Sequence, residues 1–255
     1  MSILFHDIIY GPIKSRRFGY SLGMNLLPDK SKSCSYNCIY CECGWNPEKP
    51  QGEFVDKHLF FQALEQKLIL LLESQTPLDV LTYAGNGEPT LHPDFPEIVL
   101  KTIALRNNYF PQKEIVLLTN GTTITSPQIK DIILQIEKPV LKLDSAIEQT
   151  MRAINLPSAN FNLKNYLEQL YLLKEKIYIQ TMFLKGNHFG TNIDNTTNDE
   201  VNALIEQYKK IQPKAVMLYS LDRVPPLSSL IKVDTETLRS IANKIEAAGI
   251  KTIWV

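Results

Sequence analysis

The chain has 255 residues, of which 44% are hydrophobic and 21% charged, and its 27 basic and 27 acidic side chains cancel to a net charge of zero. This composition excludes intrinsic disorder as the main state, and a chain of this length can bury about 75% of the surface that it exposes when unfolded. The longest apolar run, Leu68 to Leu72, is far shorter than the ~20 residues of a membrane span, and no signal-peptide pattern is visible, so we expect no membrane association.

The N-terminal segment is the most basic part of the sequence. Residues 1–33 carry five Lys or Arg and two Asp side chains, a local net charge of +3, and the remainder therefore carries −3. Such a segment fits an edge that faces phosphate groups, and it fits an ordinary solvated surface equally well. The first predicted strand, Tyr20–Leu27, lies within it, directly after Arg16 and Arg17.

All four cysteines follow this strand, between Cys34 and Cys43. A disulfide framework would distribute cysteines along the chain, so the grouping indicates a metal or cluster site in a reducing compartment, and we expect a cytoplasmic protein. The spacing Cys34-x3-Cys38-x2-Cys41 can occupy three corners of a [4Fe–4S] cluster and leave one iron open to a small molecule. The alternative is a zinc site with Cys43 as fourth ligand, although structural zinc usually takes ligand pairs from two separated places.

Beyond the cysteines, β-like runs alternate with helical patterns. After Tyr20–Leu27 the predicted strands are Val80–Ala84, Glu114–Leu118, Pro139–Leu143, Lys176–Met182, Ala215–Tyr219 and Lys251–Val255. Predicted helices begin at Asp94 with a capping-box partner in Glu97, at Ser126 before Pro127, at Thr197 with Glu200, and at Asp234, the last ending at Gly249. The alternation predicts an α/β fold, a full or partial (β/α) barrel formed as a single domain over residues 1–255, and a doubly wound open sheet fits the same pattern.

The turn after the second predicted strand reads Ala84-Gly85-Asn86-Gly87-Glu88-Pro89-Thr90. Two glycines permit a tight turn that brings the backbone close to a ligand. Together with Glu88, such a turn can hold the ammonium and carboxylate groups of an amino acid. Alone the motif also fits a plain strand-to-helix turn, whereas after a three-cysteine loop it is a strong indication of a cofactor site.

Polar side chains stand at the ends of the following strands. Thr119-Asn120-Gly121 ends one strand, Asp144 the next, and Gln180-Thr181 lie late in the one after. The active-site residues of a barrel enzyme lie at the C-terminal ends of the strands, where the loops converge on one opening. The recurrence therefore predicts a ligand site at that face, although each group alone is also a common turn former.

These motifs resemble those of radical S-adenosylmethionine (SAM) enzymes. The three cysteines, with Tyr40 before the last, match the superfamily's cysteine signature, and GNGEPT matches its glycine-rich SAM-binding motif. With GPIKSRRFGYSLG, QTMFLKG and LYSLDRVPP added, the chain most resembles the wyosine-synthase-like group. The superfamily resemblance covers residues from about 20 to 220, and it implies a partial (β/α)6 TIM-like barrel of the radical SAM type with short extensions at both ends.

The resemblance also implies the cofactors and the residues that hold them. The cluster ligands that it implies are Cys34, Cys38 and Cys41, and the fourth iron chelates SAM. The implied SAM-binding residues are Gly85, Asn86, Gly87 and Glu88, with Asn120 and Asp144 placed where the family contacts ribose or substrate. One electron, from an external donor such as flavodoxin or ferredoxin, then cleaves SAM to methionine and a 5′-deoxyadenosyl radical, which abstracts a hydrogen atom from the substrate.

The chain departs from the pattern of true wyosine synthases in a way that bears on the substrate. True wyosine synthases carry extra cysteines for a second cluster, whereas the only spare cysteine here is Cys43. This argues against wyosine synthesis and against pyruvate as co-substrate. Arg152 and Arg223 lie in strand-following segments, and arginine binds phosphate and carboxylate bidentately. We therefore predict that they bind an anionic substrate, an RNA nucleoside or a small molecule, with surface salt bridges as the alternative role.

Arg16 and Arg17 precede the first barrel strand, where they have the further alternative of sealing the barrel bottom. Two other functions fit the motifs: an activase that installs a radical on a partner protein, and a non-catalytic Fe–S or zinc-binding protein. The intact GNGEPT motif argues against the second, because a mere metal module has no use for a SAM site.

Overall fold

The computed structural model describes residues 3–49, 51–188, 190–223 and 225–254. Its strands are β1 (Ile9–Ser15), β2 (Gly19–Met24), β3 (Val80–Tyr83), β4 (Glu114–Thr119), β5 (Lys138–Lys142), β6 (Tyr178–His188), β7 (Thr191–Asp194), β8 (Val216–Ser220), β9 (Ile231–Lys232) and β10 (Thr252–Trp254). Its helices are α1 (Lys57–Glu73), α2 (Phe95–Tyr109), α3 (Pro127–Ile133), α4 (Glu148–Asn155), α5 (Leu163–Tyr171), α6 (Asn198–Ile211) and α7 (Thr235–Ala247). Within these ranges no helix combines the length and the apolarity that crossing a membrane requires.

The strands form one curled sheet in the order β1-β2-β3-β4-β5-β6-β8-β10. Neighbours from β2 to β10 pair in parallel, and β1 pairs antiparallel with β2 at one edge. Each parallel connection contains a helix, as a crossover between parallel strands requires. The predicted partial TIM-like barrel is thereby confirmed over the six strands β2, β3, β4, β5, β6 and β8, with β10 extending it.

Each predicted strand has its counterpart in this sheet, although Val255 lies outside the described residues. Ser126, Thr197 and Asp234 cap α3, α6 and α7, each accepting a hydrogen bond from a backbone N–H three residues later. The capping box at α2 is wrong, because the Asp94 side chain makes no cap hydrogen bond. Asp94 and Glu97 instead both pair with the Lys57 ammonium, at 3.5 and 2.6 Å.

Several elements carry no pattern that predicts them. Helix α1 buries Leu64 and Leu68 but exposes Leu59, Leu70 and Leu72, so its sequence lacks the one-sided apolar stripe that marks a surface helix. The strands β1, β7 and β9 and the helices α4 and α5 were likewise not predicted.

Alternate residues of the strands face the interior of the barrel. Near the N-terminal ends of the strands, Val80, Val116, Val140 and Met217 form a small apolar cluster, against which Phe18 from the β1–β2 turn packs. The larger core is a separate cluster, built from the remaining buried positions of the strands and the apolar faces of the helices. The interior is therefore filled at its lower end, and open space lies toward the C-terminal ends of the strands, the end at which barrel enzymes carry their chemistry.

Candidate active site

A cavity of about 240 Å³ opens at the C-terminal ends of the strands. Two groups of side chains in its lining differ in charge and origin. One, here termed the cysteine wall, consists of Cys34, Cys38, Cys41, Cys43, Gly85, Gly87 and Glu88. The other, here termed the cation wall, consists of Arg17, Lys142, Gln180 and Tyr219.

The cysteine loop is joined to the glycine-rich turn by backbone hydrogen bonds. Ser33 N–H donates to the Asn86 carbonyl at 2.8 Å, and Glu88 N–H donates to the Ser33 carbonyl at 3.0 Å. Gly87 has a φ of +143°, and a Cβ at this position would lie 1.9 Å from the Ser33 carbonyl oxygen. A side chain at Gly87 would thus push the two motifs apart, so glycine is required there by contact as well as by conformation.

The far side of the cysteine loop is held by α4. Asn37 and Ile39 donate backbone N–H groups to the Asn155 and Ile154 carbonyls, both at 3.0 Å. Asn155 also directs its side-chain amide at the Cys38 sulfur, at 3.3 Å. Asn120 does the same for Cys34, at 3.5 Å. Two of the three predicted ligand sulfurs therefore accept hydrogen bonds from buried amides, which position the sulfurs and stabilise negative charge on them.

The four thiols differ in their electrostatic surroundings. Burial raises the pKa of Cys34 to about 12 and also raises that of Cys38. The pKa of Cys41 is lowered, first by hydrogen bonding with Cys43, with the nearby Lys32 ammonium contributing. Because a thiolate is the form that binds metal, the buried thiols need a cationic group beside them. An iron–sulfur core supplies this, so the donor set fits such a cluster.

The zinc alternative fits less well. No group of three or more His, Cys, Asp or Glu side chains among the described residues is arranged around a single metal ion. Thiolates on separate irons of a cubane lie farther apart than those on one ion, so this absence does not conflict with a cluster. Cys43 instead donates from its thiol to the Gly85 carbonyl at 3.3 Å.

Glu88 is a buried carboxylate at the end of the glycine-rich turn. Its Oε1 accepts hydrogen bonds from Thr90 N–H and from the Thr90 and Thr119 hydroxyls, at 3.1, 2.6 and 2.6 Å, and its Oε2 accepts one from Asn120 N–H at 2.7 Å. Burial raises the pKa of this carboxyl despite these donors. Oε2 has a single donor and belongs to a residue lining the cavity, so Glu88 can accept a further hydrogen bond from an ammonium group.

Asn86 and Asp144 are buried and are not among the residues that line the cavity. Asn86 bonds through its side chain to the backbone of Phe5 and Pro28, which fastens the N-terminal segment to the turn. Asp144 accepts hydrogen bonds from the Tyr40 hydroxyl, the Asn155 amide and Met182 N–H, at 2.5, 2.6 and 2.9 Å. Four of the six predicted SAM-binding residues, Gly85, Gly87, Glu88 and Asn120, do line the cavity.

The two predicted substrate arginines lie outside the cavity lining. Arg152 donates to Glu148 at 2.9 Å and to the Phe161 carbonyl at 2.5 Å. Arg223 pairs with Glu42 at 2.7 Å, and Glu42 is the neighbour of Cys41. Arg223 thus adjoins the cysteine loop, whereas Arg152 braces the segment after α4.

The cation wall includes Lys142, for which the sequence predicts no role. Lys142 is the last residue of β5, and its side chain is 12% exposed. Its ammonium donates to the Tyr219 hydroxyl at 3.0 Å and lies 3.6 Å from Asp144. Burial lowers the pKa of Lys142, but Asp144, Tyr219 and Cys38 together outweigh burial and leave the pKa above its ordinary value. The strand KPVLK has a lysine at each end, so the sequence does not distinguish the buried Lys142 from the more exposed Lys138.

Comparison with known proteins agrees with this geometry. The family model of the Radical SAM superfamily matches residues 30–186. Two UPF0026 proteins from Helicobacter pylori strains are 29% and 30% identical to the chain, over 85% and 72% of its length. The chain spans 67% and 59% of the lengths of these relatives. The structure of TYW1 with a lysine-pyruvate adduct bound superposes with a TM-score of 0.63 at 16% identity, covering 90% of this chain and 74% of that one.

Proposed function

The chain belongs to the radical SAM superfamily, and from that premise we propose that it is an enzyme that cleaves SAM reductively. In this proposal Cys34, Cys38 and Cys41 ligate a [4Fe–4S] cluster, and Gly85, Gly87 and Glu88 hold the methionine portion of SAM. When bound, the two cofactors supply a one-electron cleavage that starts hydrogen abstraction from a substrate. The 255 residues would form one radical SAM domain.

The observation that carries the proposal is the backbone junction between the two motifs. Ser33 and Glu88 exchange hydrogen bonds with each other's segment, and Gly87 contacts the Ser33 carbonyl. This junction places the cysteine loop and the Glu88 carboxylate around one cavity. Glu88 would accept a hydrogen bond from the SAM ammonium, and a charge-assisted bond of this kind fixes the orientation of the amino acid portion.

The remaining predicted residues take supporting roles in the proposal. Asn120 directs its amide at the Cys34 sulfur and lines the cavity, so it would position that ligand beside the SAM ribose. Asp144 would act through its neighbours Tyr40 and Lys142, which do line the cavity. Asn86 would hold the glycine-rich turn in place through Phe5 and Pro28.

The proposed partners are an electron donor and an anionic substrate. The electron would come from an external donor such as flavodoxin or ferredoxin, and a cytoplasmic location would keep the thiols reduced. The substrate would be anionic, an RNA nucleoside or a small molecule, with Arg152 and Arg223 as predicted contacts.

The test is anaerobic reconstitution of the full chain with iron and sulfide, followed by dithionite and SAM. We expect formation of 5′-deoxyadenosine, measured by chromatography and mass spectrometry, with Cys38→Ala as the inactive control. If protein that carries about four irons per chain forms no 5′-deoxyadenosine, the proposed reaction is wrong.

A further inference from the structure

Arg17 reaches the cavity from an unexpected place, the turn between β1 and β2. The Ser15 hydroxyl fixes this turn by accepting hydrogen bonds from Arg17 N–H and Phe18 N–H, both at 3.3 Å. Phe18 packs on the apolar cluster at the lower end of the barrel, so Phe18 fills that end. The Arg17 side chain instead lines the cavity, beside side chains of β5, β6 and β8.

The guanidinium of Arg17 is held by neutral groups. Its Nη1 donates to the Gln180 Oε1 at 3.3 Å, and its centre lies 4.7 Å from the centroid of the Tyr219 ring and 5.5 Å from that of the Phe18 ring. Among the described residues, no carboxylate lies within salt-bridge distance of it. Burial lowers the pKa of Arg17, and the neighbouring Arg16 lowers it further, whereas Tyr219 acts in the opposite direction.

Two neighbouring cations, by contrast, each have a carboxylate partner. Arg16, the adjacent residue, is exposed and lies 3.4 Å from Asp222. Lys142 has Asp144 as its counterion, at 3.6 Å. Arg17 is therefore the cation of the cation wall whose charge the described part of the protein leaves unbalanced, and its fork of donors suits a planar or tetrahedral oxyanion.

We propose that Arg17, with the Tyr219 hydroxyl and the Gln180 amide beside it, forms a subsite for a carboxylate or phosphate group of the substrate. The subsite deepens the proposed function by naming the substrate class and the group that binds it. It rests on that function only in taking the cavity as the place where substrate binds. Because the subsite is built from protein side chains alone, anion binding can be measured independently of SAM cleavage.

The test uses inorganic phosphate and acetate as probes of the reconstituted chain of 255 residues, with affinity measured by isothermal titration calorimetry. Arg17→Gln should weaken binding of the preferred anion about 10- to 150-fold, the loss expected for one hydrogen bond to a charged group. Arg16→Gln removes the same charge one residue away and should leave the affinity unchanged. Arg17→Lys, which keeps the charge but not the fork, should fall between wild type and Arg17→Gln.

The outcomes of the binding experiment distinguish the class of substrate and test the subsite. Tighter binding of phosphate than of acetate identifies a phosphorylated substrate, and the reverse order identifies a carboxylate. Equal losses in Arg17→Gln and Arg16→Gln, or no binding of either anion, would overturn the subsite. Loss of anion binding on saturation with SAM would also overturn it, because Arg17 would then serve the SAM carboxylate. Failure to form 5′-deoxyadenosine with intact anion binding would sink the proposed function and leave the subsite standing.

Discussion

The two walls of the cavity are constructed on different principles. The cysteine wall comes from two short continuous segments, residues 34–43 and 85–88, joined by the backbone hydrogen bonds of Ser33. The cation wall is assembled from single side chains of the β1–β2 turn, β5, β6 and β8, whose positions in the chain range from Arg17 to Tyr219. One wall is thus fixed mainly by backbone contacts and the other mainly by side chains.

The two kinds of construction suit two different tasks, binding of an invariant cofactor and binding of a variable substrate. A cofactor of constant shape is served by a backbone geometry that few substitutions can alter, as the close contact of Gly87 with Ser33 shows. A substrate site must differ from one enzyme to another, and single side chains on a stable sheet can change without disturbing the cofactor. In the proposed function the cysteine wall would therefore carry the reaction, and the cation wall would carry its specificity.

Substitution of the proposed cluster ligands in the cysteine wall should have the strongest consequence. Replacing Cys34, Cys38 or Cys41 by Ala should reduce iron from about four atoms per chain to nearly none, because each cysteine would hold one corner of the cluster. Cys43→Ala is the matched control and should retain iron, since its thiol bonds the Gly85 carbonyl. Iron analysis and visible absorbance of anaerobically reconstituted protein measure the outcome. Loss of iron in Cys43→Ala with retention in one of the other three would contradict the ligand assignment.

Substitution of Lys142 in the cation wall should reduce the stability of the protein. The Asp144 side chain is completely buried, and Lys142→Met removes its counterion. We expect the free energy of unfolding to fall by about 3 kcal/mol, as for removal of one partner of a buried ion pair. Lys138→Met, in the same strand, removes a more exposed partner of Glu114 and should cost less than about 1 kcal/mol. Urea denaturation of both variants measures the difference. Equal losses would show that the Lys142–Asp144 pair adds no stability beyond a surface pair.

Loss of the Glu88 carboxylate should weaken SAM binding without affecting the cluster. Glu88→Gln should weaken SAM binding by about 1.5–3 kcal/mol, or about 10- to 150-fold, because a charge-assisted hydrogen bond to the SAM ammonium is lost. Its iron content should not change, since Glu88 is not a cluster ligand. Glu42→Gln is the control, because Glu42 adjoins the same loop but pairs with Arg223 at the surface. Equal SAM affinity in wild type and Glu88→Gln, measured by equilibrium dialysis, would place the ammonium elsewhere.

The same division explains which parts of the molecule the sequence could predict. The cysteine wall was predictable because its residues are neighbours in the chain, and the repeated strand–helix pattern predicted the barrel. Asn86 was expected at the cofactor, but its side chain bonds Phe5 and Pro28, whereas Gly85 and Gly87 on either side line the cavity. Arg17 enters the cavity only through the fold of the β1–β2 turn, and no local pattern marks a residue that contacts a strand two hundred positions away.

The free energy of unfolding should change least when the arginines outside both walls are replaced. Arg152 pairs with Glu148 one helical turn away, and Arg223 pairs with Glu42, with side chains 37% and 53% exposed. Exposed pairs of this kind contribute less than about 1 kcal/mol, so Arg152→Ala and Arg223→Ala should each change the free energy of unfolding by less than that. Substrate-free formation of 5′-deoxyadenosine should continue in both variants, because neither side chain lines the cavity. The assignment of both residues to substrate predicts that turnover of the true substrate is lost under the same conditions. If substrate-free cleavage fell together with substrate turnover, the two arginines would support the cofactor site, Arg223 through Glu42 beside Cys41 and Arg152 through the segment after α4.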